Sequence, residues 1–180
     1  PHNSLYIISD QGKLVDRYDK RFCSHTETVR FYTPGLEPLV FEVDGFRFGC
    51  AICVEINFPS LFTQYDQLGV DCLLLSAYPE DRIFYVKARA YAAIHNYWLS
   101  LSVPSERAHL MMSGLIGPDG EPLAHLEAAE GVVVDDLDRD APELDVALNK
   151  ARPWRAVANT GEFYAGSRVI DPRSTNKTVL

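Results

Sequence analysis

Cys53 stands in the run Gly49-Cys-Ala-Ile-Cys-Val-Glu-Ile-Asn-Phe-Pro59, where an apolar stretch ends and apolar residues at helical spacing begin. Cysteine attacks carbon as the thiolate, and a helix N-terminus favours that form through its free N–H groups and positive dipole end. Cys53 is therefore the candidate nucleophile. Taken by itself the position also fits a small buried hydrophobe, the commoner fate of a cysteine in an apolar run. Cys50 and Cys53 form a C-x-x-C, and with Cys23 and His25 they make a conceivable zinc set or, as a pair, a redox dithiol. Strand geometry opposes both. Residues three apart on a strand point to opposite faces, and no turn residue separates these two. The expectation is no metal and no cofactor.

The elements around Cys53 follow from periodicity and turn residues. Leu5 to Ile8 and Lys13 to Tyr18 flank Ser-Asp-Gln-Gly and predict a strand hairpin, with Lys20 just beyond it. Residues 21 to 38, carrying Thr33-Pro34-Gly35, predict an irregular loop able to cover a pocket. Leu39 to Val43 and Phe46 to Ile52 alternate around Asp44-Gly45, the two-residue turn that suits a hairpin. Phe58, Leu61, Phe62, Tyr65 and Leu68 then fall at helical spacing, with Asn57 as N-cap, Pro59 in the first turn and Gly69 as the stop. A strand at Val70 to Ser76, a helix at Arg82 to His95 and a strand at Trp98 to Val103 imply parallel pairing, so the class is α/β. Ser113 to Ile116, Pro122 to Leu126 and Gly131 to Asp136 predict antiparallel strands, making the sheet mixed.

Composition bounds the partners. The chain has 180 residues, 47% of them hydrophobic, which is enough for a core. A net charge of −8 opposes a nucleic-acid surface. No apolar run is long enough to span a bilayer, so no membrane partner is expected. Four cysteines, three of them in apolar stretches, suit a reducing, cytoplasmic compartment better than a disulfide framework.

The segment from Pro34 to Leu61, P-G-L-E-P-L-V-F-E-V-D-G-F-R-F-G-C-A-I-C-V-E-I-N-F-P-S-L, resembles the nucleophile region of nitrilase-superfamily amidases. There a hairpin precedes an I-C-x-[D/E]-x-x-[F/W]-P signature. Tyr18-Asp-Lys20 is similar to the family's Tyr-x-Lys block, and Asn3-Ser4 with Gly12 to what precedes it. Arg89-Ala90 with Asn96 resembles its R-A-x-E-N element, and Ser113-Gly-Leu-Ile-Gly-Pro-Asp-Gly120 its S-x-I-x-x-P-x-G element. The blocks occur in the family's order across residues 3 to 136.

This resemblance implies an α/β fold of the nitrilase type, a four-layer αββα sandwich, and a Glu-Lys-Cys triad. Cys53 is then the nucleophile and Lys20 the oxyanion-stabilising lysine, where otherwise it would be a solvated strand-end lysine. The triad glutamate is expected before Pro1. Glu27 resembles a second family glutamate that positions substrate. Glu55, the acidic residue after the nucleophile, is a positioning candidate whose expected role is to fix the elbow. The loop around Ala77 to Glu80 is expected at the pocket, whereas Arg82, Arg89 and Asn96 are expected to hold helix and strands. His95 stands where the family has Glu, and Cys23 where His or an apolar residue is common. True nitrilases tend to have Trp and Glu-His after the cysteine; Val54-Glu55-Ile56 here favours an amidase, with carbamoyl hydrolases open. Residues 1–150 are expected to form the hydrolase core. Residues 151–180 are expected to form a turn-rich extension whose Arg152 to Arg168 stretch suggests a homodimer or larger homo-oligomer. The implied activity is cleavage of a small-molecule amide. The alternative is a family-fold binding or regulatory protein without catalysis.

Overall fold

The computed structural model describes residues 1–126, 130–169, 171–176 and 178. β1 (Ser4–Ile8) and β2 (Leu14–Asp19) pair as an antiparallel hairpin forming its own two-stranded sheet. A short helix, α1 (His25–Arg30), follows within the stretch expected to be irregular. Its signal is local: Ser24 caps the helix by accepting the Glu27 N–H, while the Glu27 side chain accepts the Ser24 N–H, a complete capping box.

β3 (Val40–Val43) and β4 (Phe46–Ile52) form the second hairpin, with Asp44 and Gly45 both at positive φ as the expected turn requires. α2 (Pro59–Gln67) leads to β5 (Cys72–Ser76), and α3 (Ile83–His95) leads to β6 (Trp98–Ser102). β7 (Gly114–Ile116) and β8 (Pro122–His125) complete a six-stranded mixed sheet whose spatial order equals its chain order. The β4-β5-β6 centre is parallel and the flanks are antiparallel.

Leu61, Phe62 and Tyr65 of α2 and Phe84, Ala88 and Ala92 of α3 cover one face of the sheet, meeting Ala51, Leu73, Leu75 and Leu99. Each large apolar side chain buried there contributes about 1.5–3 kcal/mol. Gly49 permits the closeness: a Cβ there would lie 2.7 Å from the Tyr65 ring, whose hydroxyl donates to the Cys50 carbonyl at 2.6 Å. On the opposite face Leu5, Ile7 and Tyr18 of the first hairpin pack on Cys50, Ile52 and Leu74. Helices, large sheet and hairpin thus make three successive layers. Tyr6, Ile8, Leu14 and Val15 of the hairpin stay exposed, so the fourth layer of an αββα sandwich is not among the described residues.

Three further expectations are corrected. Asn57 does not cap α2; Phe58 holds that position without a side-chain bond, and Asn57 accepts from Lys87 instead. Gly131 to Asp136 form no strand, and Val132 and Val134 there are exposed. The C-terminal stretch is helical rather than turn-rich: a π-helical segment, Val146–Ala151, runs across residue 150 into α4 (Arg152–Asn159). Arg152 of α4 bonds Asp71 and the Val70 carbonyl, and Arg155 bonds Asn96, Asp66 and the His95 carbonyl, so these arginines clamp the helix to the core.

Candidate active site

Cys53 directly follows β4 and opens a 3₁₀ turn, Cys53–Asn57, in place of the α-helical N-terminus expected there. Its φ is +54°, a left-handed conformation that costs a non-glycine residue about 1–3 kcal/mol. The strain turns the side chain out of the sheet. The thiol lies 3.6 Å from the Tyr78 carbonyl, which accepts its hydrogen.

Glu55 holds this elbow from behind. It is fully buried, and its carboxylate accepts the Ile52 N–H at 2.7 Å and the Tyr18 hydroxyl at 2.8 Å. It also accepts the Arg21 and Phe22 N–H groups at 2.7 and 3.0 Å. One carboxylate therefore joins the Cys53 turn to the backbone just after Lys20. Burial, with the charge of Glu55 beside it, pushes the Tyr18 hydroxyl far above its usual range, so Tyr18 stays a donor. Glu55 does not line the cavity, so of the two positioning candidates only Glu27 faces it.

Lys20 follows β2 and is 2% exposed. Its N–H donates to the Asn3 carbonyl, and its own carbonyl accepts from Gly35, each at 2.8 Å. A Cβ on Gly35 would lie 2.2 Å from the Asp19 carbonyl, so only glycine lets this loop approach Lys20 so closely. The Lys20 ammonium donates to both oxygens of Glu27, at 2.7 and 2.8 Å. Asn3 and the Ser24 N–H also donate to Glu27. Burial alone raises the Glu27 pKa, but these hydrogen bonds and the adjacent ammonium outweigh it and bring it down to about 2.

Lys20, Glu27 and Cys53 line one cavity of about 750 Å³. Ala77, Tyr78 and Glu80 line it too, as expected for that loop. The guanidinium of Arg107 lies 4.3 Å from the centre of the Tyr78 ring and 3.9 Å from the Glu80 carboxylate. No local signal marks Arg107, since its partners are far away in sequence. The Ser24–Glu27 capping box was available as the pattern S-x-x-E.

The other candidates fall outside this cavity. Cys50 is buried beside Tyr18, Leu39 and Ile52, and burial pushes its thiol up to about 12. Cys23 is also raised, chiefly by burial, and its thiol donates to the Lys20 carbonyl. Among the described residues no cluster of three or more His, Cys, Asp and Glu side chains could hold a metal. Arg89 bonds the Gly120 carbonyl and Glu121, and Asn96 caps α3 by bonding the Ala93 and Pro118 carbonyls, as expected of structural residues. His95 is buried between the Tyr91 and Tyr97 rings with Asp66 on its Nδ1. A second cavity, of about 630 Å³ on the other face of the sheet, includes Cys72 but has no lysine facing it; burial pushes that thiol up to about 12.

A cysteine on a left-handed elbow and a buried lysine face one cavity, on a mixed sheet covered by helices, so the protein is of the α/β class. The carbon-nitrogen hydrolase family matches residues 1–144, and the chain belongs to that family. It is similar to 2-oxoglutaramate amidase of Bacillus subtilis, 27% identical over 145 residues, covering 76% of this chain and 56% of that protein. Among solved structures it resembles Nit3 of Saccharomyces cerevisiae, a member of the nitrilase superfamily, with a TM-score of 0.69 and 20% identity, covering 84% of this chain and 58% of Nit3. It also resembles the amidase of Nesterenkonia sp. AN1, in a mutant that shows the acetamide moiety of fluoroacetamide added at the active-site cysteine. There the TM-score is 0.65 at 19% identity, covering 86% and 60% of the two chains. These structural likenesses establish the fold. The chain spans about half the length of the curated relatives it matches.

Proposed function

We propose that this chain carries the nucleophile and oxyanion lysine of a cytoplasmic thiol hydrolase that cleaves a non-peptide carbon-nitrogen bond, an amide or carbamoyl group, in a small molecule. The observation that carries the reading is the shared cavity of Cys53 and Lys20, with Cys53 on a left-handed elbow. The amidase names of the Bacillus and Nesterenkonia proteins support an amide over a nitrile.

In this reaction the Cys53 thiolate attacks the carbonyl carbon, and the C=O electron pair moves to oxygen. Lys20 and a backbone N–H of the elbow stabilise that oxyanion. Collapse expels the nitrogen, protonated as ammonia or amine, and leaves a thioester on Cys53. Water then attacks the thioester, releasing the carboxylic acid and restoring the thiol. Glu27 holds Lys20 and offers an acceptor to the substrate's amide. Its low pKa suits it to staying ionised rather than shuttling protons near neutrality, where a base works best with a matched pKa. The shuttle is therefore assigned to another group, the glutamate of the Glu-Lys-Cys triad that the family resemblance implies. Glu55 acts through the elbow and does not touch substrate. No metal or organic cofactor enters the reaction.

Trp154, Val157 and Phe163, exposed on and after α4, support a homodimer or larger assembly through the 151–180 segment.

The test is ammonia or amine release by the whole encoded protein from a panel of amides, carbamoyl amino acids and nitriles. Release from amides, lost in Cys53→Ala and Lys20→Ala, is expected. The second reading, a binding protein without catalysis, is favoured by Glu27, whose low pKa leaves it a poor proton shuttle. Tight amide binding without release from any compound would select it.

A further inference from the structure

Ser113 opens the stretch 113–120 singled out in the sequence, and its hydroxyl closes a loop. It accepts the Val103 N–H at 3.0 Å and donates to the Val103 carbonyl at 3.2 Å. Within that loop Met111 is buried in the core beneath the helices, and the Arg107 N–H donates to the Pro104 carbonyl. Fastened at these points, the loop carries the Arg107 guanidinium to 4.3 Å from the centre of the Tyr78 ring and 3.9 Å from the Glu80 carboxylate. A guanidinium over an aromatic face is held by both charge and stacking. Arg107 thus fastens the loop between β5 and α3 at two side chains, Tyr78 and Glu80. The same loop carries the Tyr78 carbonyl, which lies 3.6 Å from the Cys53 sulfur and accepts its hydrogen. An acceptor on the neutral thiol favours that form and fixes where the sulfur points. Aim matters to a nucleophile, since a misplacement of about 1 Å can cost about a hundredfold in rate.

We propose that Arg107 is a positioning residue for Cys53, holding the Tyr78 carbonyl on the thiol by way of the Tyr78 ring. Its bearing on amide cleavage rests on the hydrolase reading above.

The pH profile of iodoacetamide alkylation at Cys53 reads this hold without turnover. The thiolate displaces iodide, so the half-maximal pH of the rate follows ionisation of the thiol. The whole encoded protein is compared with Arg107→Ala, Arg107→Lys, Tyr78→Ala and the double variant Arg107→Ala with Tyr78→Ala, the adduct being located by peptide mass mapping. Lys20, Glu27 and Glu80, which line the same cavity, are common to all five. Salt at about 0.5 M screens the exposed charges. A thiol that loses its acceptor ionises more easily, so Arg107→Ala should lower the half-maximal pH by about half a pH unit, the worth of one weak hydrogen bond. Arg107→Lys, which keeps a cation able to lie over the ring, should recover part of the difference. In the Tyr78→Ala background Arg107→Ala should add nothing, because both act through one contact. A half-maximal pH that Arg107→Ala leaves unchanged or raises overturns the proposal, a rise being what loss of a positive charge alone would give. A drop that persists in full without the Tyr78 ring overturns it too. Turnover separates the two levels. Ammonia release from amides is expected to be about tenfold slower in Arg107→Ala, and undiminished release overturns the proposal while hydrolysis stands. No release by the native protein overturns the hydrolase reading, and the alkylation profile still decides whether Arg107 positions Cys53.

Discussion

At the smallest scale the Lys20 ammonium meets both Glu27 oxygens within 2.8 Å. Lys20 is nearly inaccessible, so removing its partner leaves an ammonium with little water around it. The pair also gives the fold an acid dependence whose sign is fixed. The Glu27 pKa falls from 4.5 to about 2 on folding, so the unfolded chain takes up this proton first as pH drops. The stability from Glu27 is complete above about pH 4.5 and fades toward pH 2. Urea unfolding of the native chain and Glu27→Gln should therefore show a midpoint gap at pH 6 that narrows by pH 3. A gap of constant size across that range would contradict the assignment. Much of this site was legible from residue types and order, since the Tyr-x-Lys and cysteine blocks name Lys20 and Cys53. What Glu27 does with Lys20 was not, because a seven-residue separation becomes a bidentate contact only once α1 forms.

At the scale of elements, Glu55 and Gly35 bring two separate turns to one cavity. Glu55 accepts from Tyr18, Arg21, Phe22 and Ile52, so Glu55→Ala leaves several buried donors without an acceptor. The expected loss is about 3–5 kcal/mol in denaturant unfolding. A loss under about 1 kcal/mol would mean water replaces the carboxylate easily. α4 depends on its arginines in the same way. Arg155→Ala should speed amide exchange over residues 152–159 by about tenfold, leaving β4 to β6 protected. Uniform acceleration instead would show that α4 and the sheet open as one unit. The hairpin at Asp44-Gly45, the helices and the parallel strands were readable because alternation, helical spacing and turn residues are local. α4's anchorage was not, since Arg155 finds Asn96 and Asp66 across 59 and 89 positions. The strand expected at Gly131 to Asp136 failed for the complementary reason: its pattern suits a strand, yet among the described residues no strand pairs with it.

For the molecule as a whole, the described residues give helices, a six-stranded sheet and a hairpin, with Cys53 and Lys20 where sheet and hairpin meet. None of the described helices is long and apolar enough to cross a membrane. Assembly through the α4 region predicts a mass of at least twice the monomer in light scattering, reduced by Trp154→Glu; monomer mass alone would remove that proposal. The central claim is that Cys53 becomes acylated by an amide. Its most direct test is the intact mass of the whole encoded protein, quenched in acid after mixing with butyramide, beside Cys53→Ala. The account predicts a gain equal to the amide less ammonia, on the native protein alone, mapped to Cys53 and removed by hydroxylamine. Ammonia release with the adduct on another residue, or release undiminished in Cys53→Ala, would contradict it.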